Sequence, residues 1–405
     1  MVSPATTRGL RALTVAFALS QFFRTCLAVM APELQHDLAL SPAGFGALSS
    51  CFFLSFALAQ VPVGMAFDRY GVGAPTRVLL ALGVGSALLF VAAPNGGTAM
   101  LAQLGLGLAF APVFMGLMHH ASASLPPQRY VAFIGRTNAL GMVGALLATA
   151  PLGWAVHAVG WRIPMALAAL CILLACIGVW RQVRDHGHAD AKGEAPLAML
   201  GASARLLGRP ALWTLIPLCI AMAAGTSFRN AWGGPYLANV FGLQAGARGM
   251  ALTVLSLGGF CTALFLSWLV RRSSIKRTVL GWSALCLAAA LALAAWPAAG
   301  LGPDLALLTL LGTVGMLHPL VMAHGRELVP PALRGRGLGL LNSFVFLGSA
   351  LAAWAFGLIA DAGQRHQWAP AASYGAIFGC AAALVLAGLL PYAFSPRPTV
   401  ALARA

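Results

Sequence analysis

Charge is what this sequence has least of. Of 405 residues, 8% are Asp, Glu, Lys or Arg, and only 9 of them are acids. Soluble domains carry about 25% charged residues, so water is excluded as the solvent for most of this surface. The chain also lacks any C-x-x-C pair among its 8 cysteines, which all fall in apolar runs. That excludes a disulfide framework and a cysteine metal site, and leaves the thiols as small buried hydrophobes. There is no G-x-S-x-G, no H-E-x-x-H and no Walker loop, so hydrolase, zinc-protease and ATP-driven chemistry lose their signatures and no cofactor is expected. The first apolar run lacks a cleavage pattern and contains Arg24; it reads as a retained helix rather than a signal peptide.

What the sequence has is apolar length. Hydrophobic residues make up 60% of the chain. They come in runs near the roughly 20 residues that cross a bilayer as helix. The runs predict helices over 11–31, 45–67, 76–94, 98–119, 132–156 and 161–180, then 211–234, 249–270, 277–297, 304–325, 338–360 and 371–393. The long polar stretch 181–210 divides them. The expected fold is therefore an all-α membrane protein of twelve transmembrane helices in two six-helix, pseudo-symmetric bundles. The first bundle is 1–180, the cytoplasmic linker 181–210, and the second bundle 211–405.

The formal net charge of +16 suggests nucleic-acid binding, but the positions of the charges point elsewhere. With the first helix starting inside, 20 of the 25 basic residues fall on the cytoplasmic side, as the positive-inside rule requires. Only Arg162, Arg248 and Arg365 fall outside, and Arg24 and Arg229 lie within spans. Both termini are expected in the cytoplasm, and no clustered soluble basic face is left for nucleic acid.

The halves repeat. At an offset of 204, Met118, His120, Pro126, Pro127, Asn138, Gly144 and Gly153 match Met322, His324, Pro330, Pro331, Asn342, Gly348 and Gly357. At an offset of 203, Pro32 and Leu34 match Pro235 and Leu237. Parallel six-helix repeats suit a carrier that rocks two bundles about a central site.

The stretch Gln60-x-Pro62-x-Gly64-x-x-x-Asp68-Arg69-x-Gly71 resembles the signature loop of the major facilitator superfamily, G-x-x-x-D-R-x-G-R-R, and the likeness extends over essentially the whole chain. The resemblance implies a transporter working by alternating access. It also implies that Gly64, Asp68, Arg69 and Gly71 form a cytoplasmic latch between the bundles. Gly64 would permit a close helix approach, and Asp68 would meet a helix N-terminus. Val72 and Gly73 replace the usual basic pair, and Gln103 stands about where the family often carries an arginine tied to proton coupling.

The chemistry centres on two arginines. Arg24 is 13 residues beyond Arg11, about 20 Å into the membrane. An arginine there costs about 2.5–3.5 kcal/mol on insertion scales, so it snorkels outward past Pro32, or it faces a hydrated cleft and takes an anionic partner. All 9 acids fall near the membrane edges: Glu33, Asp37, Asp304 and Asp361 outside, Asp68, Asp185, Asp190, Glu194 and Glu327 inside. A substrate anion is then the natural partner, since guanidinium grips carboxylate or phosphate through two parallel hydrogen bonds. Arg229 occupies the seventh span, six residues before Pro235 where Arg24 is eight before Pro32. Paired arginines in these spans resemble the organophosphate/phosphate antiporters of that superfamily, and Gln60-x-Pro62 resembles its organic anion:cation symporters.

Further lining candidates are Gln21, Phe23, Asn138, Trp232, Asn342 and His318. Asn138 and Asn342 are equally suited to interhelical hydrogen bonds, Trp232 to an interfacial anchor and His318 to a neutral packed role. The leading expectation is a monomeric, multi-pass carrier of a small organic anion in the bacterial inner membrane, in contact with its substrate and the bilayer alone. The alternatives are an exporter of a hydrophobic or drug-like compound and a transporter-like membrane receptor.

Overall fold

A computed structural model describes residues 4–183, 205–330 and 333–396. Eleven helices are long and apolar enough to cross a bilayer: Pro42–Phe67, Gly73–Val91, Gly96–Ser122, Ala132–Val159 and Arg162–Gln182, then Pro210–Phe241, Ala245–Arg272, Ile275–Ala295, Leu301–Leu328, Arg334–Arg365 and Pro370–Ala393. A twelfth, the first in order, is a bent pair, Thr7–Thr25 and Leu27–Asp37, meeting at 53°. These are the twelve predicted spans, numbered here in chain order. The first runs six residues past its expected end at 31, to Asp37, because Pro32 is accommodated inside its outer piece. Most of the linker lies outside the described residues.

Local chemistry sets the ends. Ser41 opens the second span by accepting the Gly44 N–H at 3.1 Å, with Pro42 in the first turn. Asn95 opens the fourth by accepting the Thr98 N–H at 3.0 Å. Both side chains satisfy a donor that the first helical turn leaves free. Gly71 closes the second span at φ 76°, a conformation that a side chain would strain.

Four spans are broken in or near the middle. The first breaks at Cys26, directly after Arg24 and Thr25. The fifth breaks at Ala148 and Thr149, ahead of Pro151. The seventh carries one π-turn, Phe228–Trp232, and the tenth a 3₁₀ stretch, Thr313–Leu317. Breaks of this kind loosen the backbone ladder and gather at functional sites.

The glycines that matched in the repeat hold equivalent positions. Gly144 faces the first span so closely that a methyl there would stand 2.0 Å from the Ala18 carbonyl oxygen; Gly348 faces the seventh, where the same methyl would meet the Ile220 oxygen at 2.6 Å. Between the halves, Gly153 of the fifth span abuts Gly249 of the eighth, and Gly357 of the eleventh abuts Gly46 of the second. The packing is thus two-fold, and small residues let the backbones touch. In this structure a methyl on Gly64 meets nothing nearer than Met115 Sδ at 3.9 Å, so no tight crossing is formed at that turn in this conformation. Replacing Gly144 by alanine is expected to lower stability by about 1–3 kcal/mol, read as a fall in the unfolding temperature in detergent, whereas Gly64→Ala should leave that temperature unchanged.

The end that holds Glu33, Asp37, Asp304 and Asp361 is called the outer end, after the orientation implied by the basic residues. All four acids are engaged there. Asp37 accepts from Arg162 at 3.0 Å and from the Trp161 indole at 2.9 Å. Asp361 accepts from Arg365 Nε at 2.8 Å, Asp304 from the Tyr236 hydroxyl at 2.5 Å, and Glu33 from Arg248 at 2.6 and 2.8 Å. The three outer arginines are therefore each neutralised by an outer acid.

The outer end is closed. The Gly46–Gly357 and Gly153–Gly249 contacts bring the two halves to backbone distance, and a methyl on Gly234 of the seventh span would overlap the Ala28 carbonyl of the first at 1.5 Å. Thr149 and Thr253 hydroxyls meet across the halves at 2.8 Å, and Phe45 packs edge-on against Trp232 at 5.6 Å.

Candidate functional site at the interface of the halves

Arg24 is the last residue but one before the break in the first span. Its guanidinium lies over the Phe56 ring at 4.5 Å and the Phe346 ring at 4.9 Å. Those rings come from the second and eleventh spans, one from each half, and their centroids are 4.3 Å apart. The side chain therefore points into the interface between halves, not toward lipid or headgroups. Its Nε is buried and has no hydrogen-bond partner. No carboxylate is paired with it among the described residues.

Magnitudes decide what is missing. Two cation–π contacts contribute about 0.5–2 kcal/mol each. They offset part of the cost of a charge at this depth, but a ring face is only a weak acceptor of N–H bonds. Nε in particular is left for an acceptor that the described residues do not supply.

A polar relay lies one turn further from the outer end. Gln60 follows Phe56 by four residues and Asn342 precedes Phe346 by four, which puts each amide on the same helix face as its phenyl ring, about 6 Å away. The Asn342 amide donates to Gln60 Oε1 at 3.2 Å, across the halves. His318 Nε2 lies 3.1 Å from Asn342 Oδ1, and Gln60 donates to the Phe56 carbonyl at 3.3 Å. His318 sits where the tenth span resumes after its 3₁₀ stretch. One charged donor, two rings and three polar side chains are thus collected from four spans.

The other expected residues are more scattered. Arg229 lies in the π-turn of the seventh span, and its Nε donates to Asn230 Oδ1 at 3.2 Å. Its Nη1 approaches Gly259 of the eighth span, where a methyl would stand 3.7 Å away. No contact joins it to Arg24 among the described residues; the two-residue slip seen in the sequence and the π-turn turn it aside. Trp232 is buried, donates to the Ala353 carbonyl at 3.2 Å and belongs to the outer closure. Phe23 is buried against Phe110, with ring centroids 5.4 Å apart, in the core of the first half. Gln21 is half-buried, and Asn138 is exposed, unlike its repeat partner Asn342.

Of the latch residues, Arg69 is exposed with its guanidinium 5.2 Å from the Tyr70 ring, and Gly71 makes the helix end. The Asp68 side chain lies outside the described residues. An apolar groove of about 540 Å³, lined by Leu58, Pro62, Tyr70 and Val78 of the second and third spans among others, shares no residue with the Arg24 site.

Phe56, Gln60 and Phe346 were not among the lining candidates. An aromatic residue four positions from an amide on each of the two spans was the available signal; in sequence it is indistinguishable from ordinary apolar packing. No group of three or more His, Cys, Asp or Glu suited to a metal occurs among the described residues.

The chain aligns with sugar-acid transporters over part of its length. It is 25% identical over 186 residues to the hexuronate transporter of Bacillus subtilis (strain 168), covering 45% of this chain and 43% of that one. It is 28% identical over 144 residues to the probable galactarate/D-glucarate transporter GudP of Escherichia coli (strain K12), covering 34% and 32%. It is 27% identical over 189 residues to the probable L-galactonate transporter of the same strain, covering 45% and 41%. The chain thus spans less than half the length of each of these relatives.

In fold, it superimposes on the nucleoside transporter NupG (D323A mutant) with a TM-score of 0.77 at 12% identity, over 95% of this chain and 99% of that one. It superimposes on a D-xylose-proton symporter with a TM-score of 0.73 at 14% identity, over 96% and 98%. Residues 13–353 and 230–404 match the Major Facilitator Superfamily. With its repeat, its broken spans and that match, the chain belongs to the Major Facilitator Superfamily and is a multi-pass membrane transporter rather than an enzyme.

Proposed function

We propose that this transporter carries a small organic anion, a carboxylate or phosphate ester, across the bacterial inner membrane by alternating access. The observation that carries this reading is the Arg24 guanidinium, held against two rings from opposite halves, with a buried Nε that no described residue bonds. A carboxylate in the plane of the guanidinium would complete its hydrogen bonds and neutralise it. The sugar-acid relatives favour a polyhydroxy carboxylate. The Gln60–Asn342–His318 relay one turn away offers amide and imidazole groups for its hydroxyls. Arg229 acts from a distance, through the field of a second positive charge.

Exchange or facilitated movement fits better than proton symport. Many symporters carry the proton on a deep carboxylate, and the acids of this sequence sit at the membrane edges. The moving units are the bundles 1–180 and 211–405 joined by the linker 181–210, both termini are cytoplasmic, and Gly64, Asp68, Arg69 and Gly71 latch the inner end when the outer end opens. The carrier works as a monomer.

Counterflow in proteoliposomes tests the substrate class. Vesicles loaded with unlabelled hexuronate should accumulate labelled hexuronate, and an aldonate or aldarate in the bath should compete while the neutral hexose does not. Equal competition by the hexose would remove the anion from the reading.

A further inference from the structure

The Glu33–Arg248 pair differs from the other outer ion pairs in what it joins. Asp37–Arg162 lies within the first half and Asp361–Arg365 within one helix; Glu33–Arg248 crosses from the first half to the second. Arg248 is 4% exposed and sits in the first turn of the eighth span. Its Nη2 donates to both Glu33 carboxylate oxygens and to the Val29 carbonyl at 3.0 Å, and its Nη1 donates to the Leu243 carbonyl at 3.1 Å. Glu33 and Val29 both belong to Leu27–Asp37, the outer piece of the broken first span. That piece hinges at Cys26, and Arg24 stands on the other side of the hinge. The neighbouring Gly249 makes backbone contact with Thr149 and Ala150 of the fifth span. One turn of the eighth span therefore supplies both a pivot against the first half and a grip on its bent lever.

We propose that Glu33 and Arg248 form the outer gate of this carrier, and that Arg248 is a positioning residue for Arg24. With the pair made, the outer piece of the first span is pinned to the second half and the outer end is shut. Opening the outer end requires the pair to part, which frees the lever whose base carries the substrate arginine. Both partners then meet water, which offsets the lost bond; with Glu33 neutralised, Arg248 stays buried without its counter-charge, and the closed state loses stability. The coupling to Arg24 rests on the anion reading above; the gate itself does not.

The reporter is Phe45→Cys, at a ring that is 0% exposed and packed across the halves on Trp232. Labelling by a membrane-impermeant maleimide is measured from the outer side in proteoliposomes without substrate, and the signal of the protein retaining Phe45 is subtracted. Glu33→Gln, which removes the charge and keeps the shape, should raise the labelling rate roughly tenfold or more. Glu33→Asp, which withdraws the charge by one methylene, should fall between. The external KM of the Gln variant should fall with its kcat, a split that a merely destabilised protein would not give.

Labelling of the Asp and Gln variants at the unsubstituted rate would overturn the gate. If the Gln variant does not accumulate, the Asp variant against the unsubstituted protein decides alone. Raised labelling together with full transport by Arg24→Lys would keep the gate and remove the anion reading.

Discussion

Arg24→Lys will lower the kcat/KM for anion uptake by about 10–100-fold, while the protein accumulates and elutes as the unsubstituted one does. Lysine keeps the charge and loses the fork. Hydrogen bonds to charged groups are worth about 1.5–3 kcal/mol, and about 1.4 kcal/mol is tenfold, so loss of one in-plane bond gives that range. Stability is spared because the guanidinium holds no acceptor among the described residues; its Nε is unbonded and it rests against Phe56 and Phe346. Initial-rate uptake over a range of concentrations, paired with a thermal unfolding curve, separates the two effects. Arg229→Lys should cost less, since Arg229 is already bonded to Asn230 and faces Gly259.

Gly234→Ala will abolish exchange through a different cause. The new methyl would lie 1.5 Å from the Ala28 carbonyl oxygen, far inside contact distance, and that oxygen is backbone of the opposite half. A side chain would rotate away; two packed helices have no such freedom. The variant cannot reach the closed outer end seen here and should remain open on that side. Uptake and counterflow are expected to fall about a hundredfold or more, equivalent to about 2.8 kcal/mol. Labelling at Phe45→Cys should be constitutively high. Gly153 and Gly357 meet the opposite half at longer distances, and their alanine variants should be impaired rather than silent.

The span order and the repeat were legible because lipid imposes a simple code. Twenty apolar residues with few charges have one stable use, and basic residues mark the ends. Glycine pairs at one offset were legible too, and Gly153 and Gly357 take up matching contacts against Gly249 and Gly46. The helix breaks were less visible. Pro32 was apparent, yet the first span bends at Cys26, six residues earlier, and the π-turn at Phe228–Trp232 has no proline or glycine inside it. The cost of those breaks is met by packing that a single chain of letters does not display.

The site followed the same division. Arg24 stood out because a charge in an apolar run is costly. Phe56 and Phe346 did not, because a phenylalanine in an apolar run is ordinary; only the meeting of the second and eleventh spans gives the two rings a common guanidinium. Asn138 and Asn342 were equivalent in the repeat, but only Asn342 meets a partner across the halves, because the opposing Gln60 is matched by no amide at the corresponding place in the eighth span. Arg248 was expected at the outer end and its partner was not apparent, since 215 residues separate it from Glu33.

Equilibrium binding to the purified carrier tests the counter-ion role of Arg24 most directly. Labelled hexuronate should bind the unsubstituted protein, be displaced by a second sugar acid and not by the neutral hexose, and bind Arg24→Ala too weakly to detect. Undiminished hexuronate binding by Arg24→Ala would contradict the account.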